Sequence, residues 1–200
     1  MLRHGCAGSA AEAVLDELVR AYGESHRHYH TLDHIAALLR LLEEHGRGVG
    51  DHDAVALAIL FHDVVYDPAR HDNEHASAAH AIDRLTRLGF PRELVAKVAR
   101  YVSATAHGQG ALSPRDDADI ALLLDLDLSI LAAAPTAYHA YAQAIRREYS
   151  HVAEEPYRPG RRRVLQAFLA REQIYCTEQL RALWEARARA NIAGEMAELA

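Results

Sequence analysis

Apolar positions recur along this 200-residue chain at intervals of three and four, the period of a helix that buries one face. Val14, Leu15, Leu18 and Val19 mark an opening helix over Ala11 to Tyr22, stopped by Gly23. A polar, aromatic run from Glu24 to His30 leads to Thr31, which can cap a helix carrying Ile35, Leu38, Leu39 and Leu42 and ending near Gly46. That register puts His34 in the first turn and His30 just outside it. After the glycine-rich stretch 46–50, Asp51 or Asp53 can cap a helix whose Val55, Ala58, Ile59, Leu60 and Phe61 run directly into His62-Asp63. Pro68 ends it.

Further helices are predicted from Asn73-Glu74 through Ala76, Ala79, Ile82 and Leu85 to Gly89, and from Pro91 with Leu94, Val95, Val98 and Val102 inward. Pro114 opens another, so apolar between Ile120 and Leu131 that it should cross the middle of a core, interrupted only by Asp125, Asp127 and Ser129. Pro135 starts a helix bearing Tyr138, Tyr141, Ile145 and Tyr149. The stretch from Glu154 to Gly160, with two prolines, reads as a loop before a helix over Arg161 to Arg171 with Val164, Leu165, Phe168 and Leu169 inward. A last helix runs from about Thr177 to the end around Leu180, Leu183 and Trp184. No strand pattern occurs, so the predicted class is all-α, a single domain over residues 1–200.

Composition agrees: half the residues are hydrophobic and a quarter charged, with abundant Ala and Leu and sparse Gly and Pro. Such a chain can bury a core without disulfides. Cys6 and Cys176 have no metal-binding or framework spacing, which favours a reducing, cytoplasmic setting. No apolar run suits a signal peptide or a membrane span. A formal charge of -6 argues against a nucleic-acid polymer as partner, while leaving room for a local basic cluster that holds the phosphate of a small ligand. A homodimer is compatible with the sequence.

Fourteen histidines are the compositional oddity, and several stand beside carboxylates in apolar surroundings, where an unpaired charge is costly. Neighbouring His62 and Asp63 point about 100° apart on a helix, so an ion over their shared edge can bind both. His34 offers an imidazole nitrogen, and one carboxylate of the Asp125/Asp127 pair offers oxygen. The pair sits about 200° apart, so only one of the two suits a given ion. This mixed nitrogen and oxygen set fits a divalent metal: manganese, iron, cobalt, zinc or magnesium. Arg146, Arg147, Arg158 and Arg161 to Arg163 carry guanidinium groups that match phosphate oxygens, and Arg146 and Arg161 are the expected substrate contacts beside His107.

The ordered set His34, His62-Asp63 and a distant Asp, over roughly Glu24 to Ala133, resembles the HD-domain superfamily of metal-dependent phosphohydrolases. Arg27-His28-Tyr29-His30-Thr31, Phe61 to Asp67, Asn73-Glu74 and Ile145 to Tyr149 look like a bacterial branch of it. The resemblance implies an HD-type helical bundle with additional C-terminal helices from about Pro135. Tyr29-His30-Thr31-Leu32-Asp33-His34 is also similar to the Tyr-His-Asn-x-x-His motif of cyclic-nucleotide phosphodiesterases. Carried over by position, His30 becomes the general acid and His34 a ligand, and Asp127, followed by Leu128-Ser129, is preferred to Asp125 as the last ligand. Glu74 stands where several HD nucleotidases carry an acidic residue that orients or deprotonates water. The implied catalytic residues are thus His30, Glu74 and Asp63, and the metal ligands His34, His62, Asp63 and Asp127.

The implied function is hydrolysis of a small phosphorylated molecule, preferably a nucleotide, by metal-activated water. Two rivals use the same residues. One is a non-catalytic sensor that holds a nucleotide through metal and arginines, and the other is a diiron oxygenase, which needs more His and Asp ligands than this pattern places. A zinc protease is disfavoured because Thr31 stands where His-Glu-x-x-His requires Glu.

Overall fold

The computed structural model describes residues 8–106 and 117–200. Cys6, His107 and the helix start expected at Pro114 lie outside them. The described residues are all-helical, with no strand: α1 (Gly8–Tyr22), α2 (Leu32–His45), α3 (His52–Phe61), α4 (Asn73–Arg87), α5 (Arg92–Ala104), α6 (Ala118–Asp127), a 3-10 turn (Leu128–Ala132), α7 (Pro135–Glu148), α8 (Glu154–Leu169) and α9 (Glu178–Glu198). No single helix among the described residues is long and apolar enough to cross a membrane. The chain divides into two compact units, Met1–Leu123 and Leu124–Ala200. The division falls inside α6.

In the first unit α3 is the middle helix. It is apolar nearly all round, and Ala54, Val55, Leu57, Ala58, Ile59 and Phe61 are all buried, as a helix without a polar face must be. It packs against α2, α4 and α5, and α4 pairs with α5. Asp51 caps α3 by accepting the Ala54 N–H at 3.1 Å. Buried Asp119 accepts the Gly50 and Asp51 N–H groups at 2.8 and 2.9 Å, and the Tyr101 hydroxyl donates to the same carboxylate at 3.2 Å. At the other end, the Tyr22 hydroxyl of α1 donates to the Leu60 carbonyl at 3.0 Å. The fixed α3 therefore ends inside the unit, which explains why His62 and Asp63, next along the chain, are drawn out of solvent.

Glu17 ties α1 to α4, accepting Nε and Nη2 of Arg84 at 2.7 and 2.8 Å and lying 3.3 Å from His80 Nε2. The Arg84 guanidinium holds the Glu17 carboxyl below its ordinary 4.5, and burial holds the His80 ring below its ordinary 6.5 although Glu17 opposes that shift. The signs follow from linkage. An unfolded His80 takes up a proton below pH 6.5 while the folded ring resists it, so stability declines as pH drops from that value until the folded ring titrates. The Glu17 contribution, present above 4.5, is lost as pH falls through its lower folded value. Denaturation midpoints between about pH 7 and 5 should therefore decline in the parent and flatten in His80→Gln.

The second unit has its own core of Leu128, Leu131, Ala132, Tyr138, Leu165, Ile174, Tyr175, Ala188 and Ile192. Thr177 caps α9, accepting the Leu180 N–H at 3.4 Å. Asn191 of α9 donates to the Leu131 and Ala133 carbonyls, both at 2.9 Å, which satisfies the end of the 3-10 turn.

Several elements depart from the predicted pattern. The segment 154–160, expected as a loop, is the beginning of α8. Its Pro156 lies in the first turn, where no intrahelical N–H bond is needed, and only Pro159 removes one. Burial of Tyr157, Arg161 and Leu165 on one face compensates. The helix expected to continue through Leu131 tightens into 3-10 geometry after Asp127. Leu15, Val19, Ile82, Val164 and Leu183 are exposed, so the buried stripe of their helices is narrower than the apolar one.

Candidate metal centre

Three sequence-predicted ligands meet in the first unit: His34, His62 and Asp63 offer donor atoms that all lie within 4.8 Å of one another. Ligands on opposite sides of one ion, each about 2.0–2.2 Å from it, stand about 4 Å apart, so small side-chain shifts let these three share an ion. His34 comes from the first turn of α2, and its ring centroid is 5.3 Å from that of His62. Thr31 occupies the N-cap position with extended backbone, although its hydroxyl accepts no capping bond.

The His62 ring orientation explains why the cluster suits a cation. Its Nδ1 lies 2.9 Å from the Ile59 carbonyl. A carbonyl only accepts, so Nδ1 carries the hydrogen and Nε2 faces the other way. Nε2 is buried and lies 2.9 Å from Asp63 Oδ2. A lone pair and a carboxylate oxygen at that distance require a positive centre, either a proton on Nε2 or a metal ion. A proton would serve this pair alone. A metal would also engage His34, whose Nε2 is likewise buried. Fixing an imidazole by a bond from its other nitrogen to a backbone carbonyl is the usual support for a metal-binding histidine.

Around the triad the rings form a connected rim. Tyr29 lies 4.8 Å from His34 and 5.0 Å from His30, and His30 stacks on Tyr66 at 4.2 Å between centroids. His26 Nε2 lies 2.9 Å from the Tyr66 carbonyl. Glu74 is half-buried in the first turn of α4, one turn before Ser77. The Ser77 hydroxyl accepts the Val65 N–H at 3.1 Å and donates to the Val65 carbonyl at 3.2 Å, which attaches this side of α4 to the chain just after Asp63.

Arg27 was assigned no role by its sequence context. Its side chain is completely buried, and Nη1 and Nη2 donate to the Asp63 and Val64 carbonyls at 2.7 and 3.0 Å. Its bonds go mainly to main-chain oxygens, which look alike in every sequence. The sequence signals were an arginine inside the aromatic run before α2 and its place at the head of the Arg27-His28-Tyr29-His30-Thr31 resemblance, neither of which carries a role.

Of the two α6 carboxylates considered for the last ligand position, Asp125 has a structural task within the second unit. Asp125 is fully buried and accepts the Cys176 and Thr177 N–H groups at 2.6 and 2.8 Å and the Thr177 hydroxyl at 2.6 Å. Its role is to hold the start of α9. Burial pushes its carboxyl above the ordinary range, while the Thr177 and Cys176 bonds pull the other way. The neighbouring Cys176 thiol is pushed up to about 11 by burial and by Asp125. Asp127 closes α6 and starts the 3-10 turn without a side-chain capping bond.

The two arginines expected to meet substrate have internal partners instead. Arg161 gives Nε and Nη2 to the two Glu195 oxygens at 2.7 and 3.0 Å, its Nη1 reaches the Tyr141 hydroxyl at 3.5 Å, and only 9% of the residue is exposed. Arg146 bonds Glu154 and the Tyr149 and Val152 carbonyls at 2.8–3.0 Å and covers the Tyr157 ring. A guanidinium held in this way pins the turn between α7 and α8. His107, the other substrate candidate, lies outside the described residues.

Comparison of the chain with models of protein families, with curated proteins and with solved structures gives no match. The described residues therefore carry the functional argument themselves, and the coarse result stands plainly: the protein contains a His/Asp group able to hold a metal ion.

Proposed function

We propose that the protein is a metal-dependent phosphohydrolase of the HD type, acting on a small phosphorylated molecule, with a nucleotide the preferred class. The observation that carries the reading is the buried contact of His62 Nε2 with Asp63 Oδ2 at 2.9 Å, beside a second imidazole within donor range. The ordered His30, His34 and His62-Asp63 motifs add the reaction type. In this reading His34, His62 and Asp63 hold the ion. A divalent ion there would supply Lewis acidity, drawing charge from a phosphoryl oxygen and lowering the pKa of water. His30, steadied by its stack on Tyr66, gives a proton to the leaving oxygen. Glu74 orients the attacking water and accepts its proton.

The test is elemental analysis of the purified protein followed by phosphate release from a panel of nucleotides and phosphomonoesters with Mn2+ added. We expect bound divalent metal, release from at least one substrate class, loss of release on chelation and recovery when the ion is restored. Two histidines and one carboxylate also suit non-haem iron. Bound iron with oxygen consumption and no phosphate release would replace the phosphohydrolase by an oxygenase. Tight nucleotide binding without turnover would replace it by a sensor.

A further inference from the structure

We infer that Arg27 is a positioning residue that locks the two metal-binding segments of the first unit into one frame. The inference rests on the metal reading of His34, His62 and Asp63. It concerns how their geometry is set.

Arg27 is a cation with no exposed side-chain surface, and among the described residues its carboxylate partner is Glu24, itself 48% exposed, at 3.0 Å. A buried arginine retained for an ion pair would face a buried carboxylate. The remaining donors of Arg27 instead enter the backbone around the candidate site. Nη1 donates to both the His30 carbonyl at 3.3 Å and the Asp63 carbonyl at 2.7 Å, and Nη2 donates to the Val64 carbonyl at 3.0 Å. One nitrogen thus bridges the residue that precedes Thr31 and α2 to the residue that follows His62. The guanidinium also lies over the rings of Tyr22 and Tyr66, 5.2 and 5.4 Å from their centroids, and Tyr66 is the ring that stacks on His30.

The consequence is geometric. His34 belongs to a helix whose entry carbonyl is held by Arg27, and Asp63 has its own carbonyl held by the same side chain. Nη1 joins the His30 and Asp63 carbonyls while Nε and Nη2 anchor the same plane on Glu24 and the Val64 carbonyl, four partners in fixed directions that the single ammonium of lysine cannot hold together. The carbonyls of Asp63 and Val64 also lie just past the end of α3, where a cation is favoured by the helix dipole. Main-chain attachment of this kind orients ligands before the ion arrives. Loss of such outer support typically weakens metal affinity about 10–100-fold.

The experiment is Mn2+ titration of the full chain by calorimetry, with circular dichroism confirming the fold at the titration temperature. Arg27→Lys is expected to raise the Mn2+ Kd by about 10–100-fold, and Glu24→Gln, which frees one anchor of the guanidinium, to raise it severalfold in the same direction. Arg84→Lys, in the α1–α4 ion pair, is the control for lost stability and should leave the Kd unchanged. A folded Arg27→Lys with Kd within about twofold of the parent overturns the inference and leaves the metal reading standing. If Arg27→Lys does not fold, an unchanged Kd in Glu24→Gln overturns it equally. A parent protein that takes up no metal removes the metal reading, and the inference with it.

Discussion

Asp63→Asn is expected to abolish the stabilisation that a divalent ion gives this protein, while leaving the metal-free protein at least as stable as the parent. Asp63 Oδ2 faces His62 Nε2 at 2.9 Å, and His62 Nδ1 is committed to the Ile59 carbonyl. Without a metal, the two acceptors need a proton between them. The amide of Asn supplies an N–H donor to Nε2 without any added proton, so the substitution relieves the metal-free site. With a metal, the same amide removes the only carboxylate of the triad and its charge. At a free ion concentration of about one hundred times Kd, binding stabilises a folded protein by about 2.7 kcal/mol. The parent should therefore melt several degrees higher with Mn2+ than with chelator, and Asp63→Asn should melt equally in both. Phosphate release should fall by about a hundred- to a thousandfold, the scale of losing transition-state charge stabilisation. An undiminished Mn2+ shift in Asp63→Asn would remove Asp63 from the centre.

The triad was legible because His62-Asp63, by itself only two polar residues at the end of the apolar α3, follows His34 in an ordered set that resembles a metal-binding pattern. His34 could be placed in the same region by the helix register that Thr31 sets. The helices were legible for a related reason, since their apolar spacing and their capping residues, such as Asp51 and Thr177, act locally. Two classes of feature were not. The start of α8 was hidden because Pro156, Pro159 and Gly160 signal a loop, whereas a first turn tolerates a proline that lacks an N–H. The roles of the arginines were hidden because they depend on distant partners. Arg27 reaches the Asp63 carbonyl, 36 positions along the chain, and Arg161 reaches Glu195, 34 positions along. Nothing in the local pattern separates Glu195 from the other acids of α9, so a run of arginines looked like a phosphate site. Asp125 illustrates the same limit: its apolar neighbours marked it as buried, but not which N–H groups it would accept.

Glu195→Ala is expected to destabilise the second unit by about 3–5 kcal/mol, the usual result of stranding one member of a buried ion pair. Arg161 and Glu195 are each about nine-tenths buried, and the Tyr138 hydroxyl donates to Glu195 at 2.6 Å. Removing the carboxylate leaves the guanidinium without the charge that offsets its desolvation, and leaves a buried hydroxyl without its acceptor. Burial by itself would lower the Arg161 pKa, and Tyr141 and Glu195 reverse this in the parent; once Glu195 is removed burial works against the charge, but a guanidinium titrates so far above neutral pH that the stranded group stays charged. The paired replacement Arg161→Met with Glu195→Leu removes both charges together, and it should recover most of the loss despite making no ion pair. Urea titration followed by fluorescence of Trp184, the sole tryptophan and a ring neighbour of Tyr175, reads the second unit directly. A double replacement as unstable as Glu195→Ala would show that the pair itself, rather than the stranded charge, sets the stability. The same double variant separates packing from chemistry. With Arg161 committed to Glu195, its substrate KM should match the parent below the melting transition, whereas an arginine that binds phosphate would raise KM for every substrate when replaced by methionine.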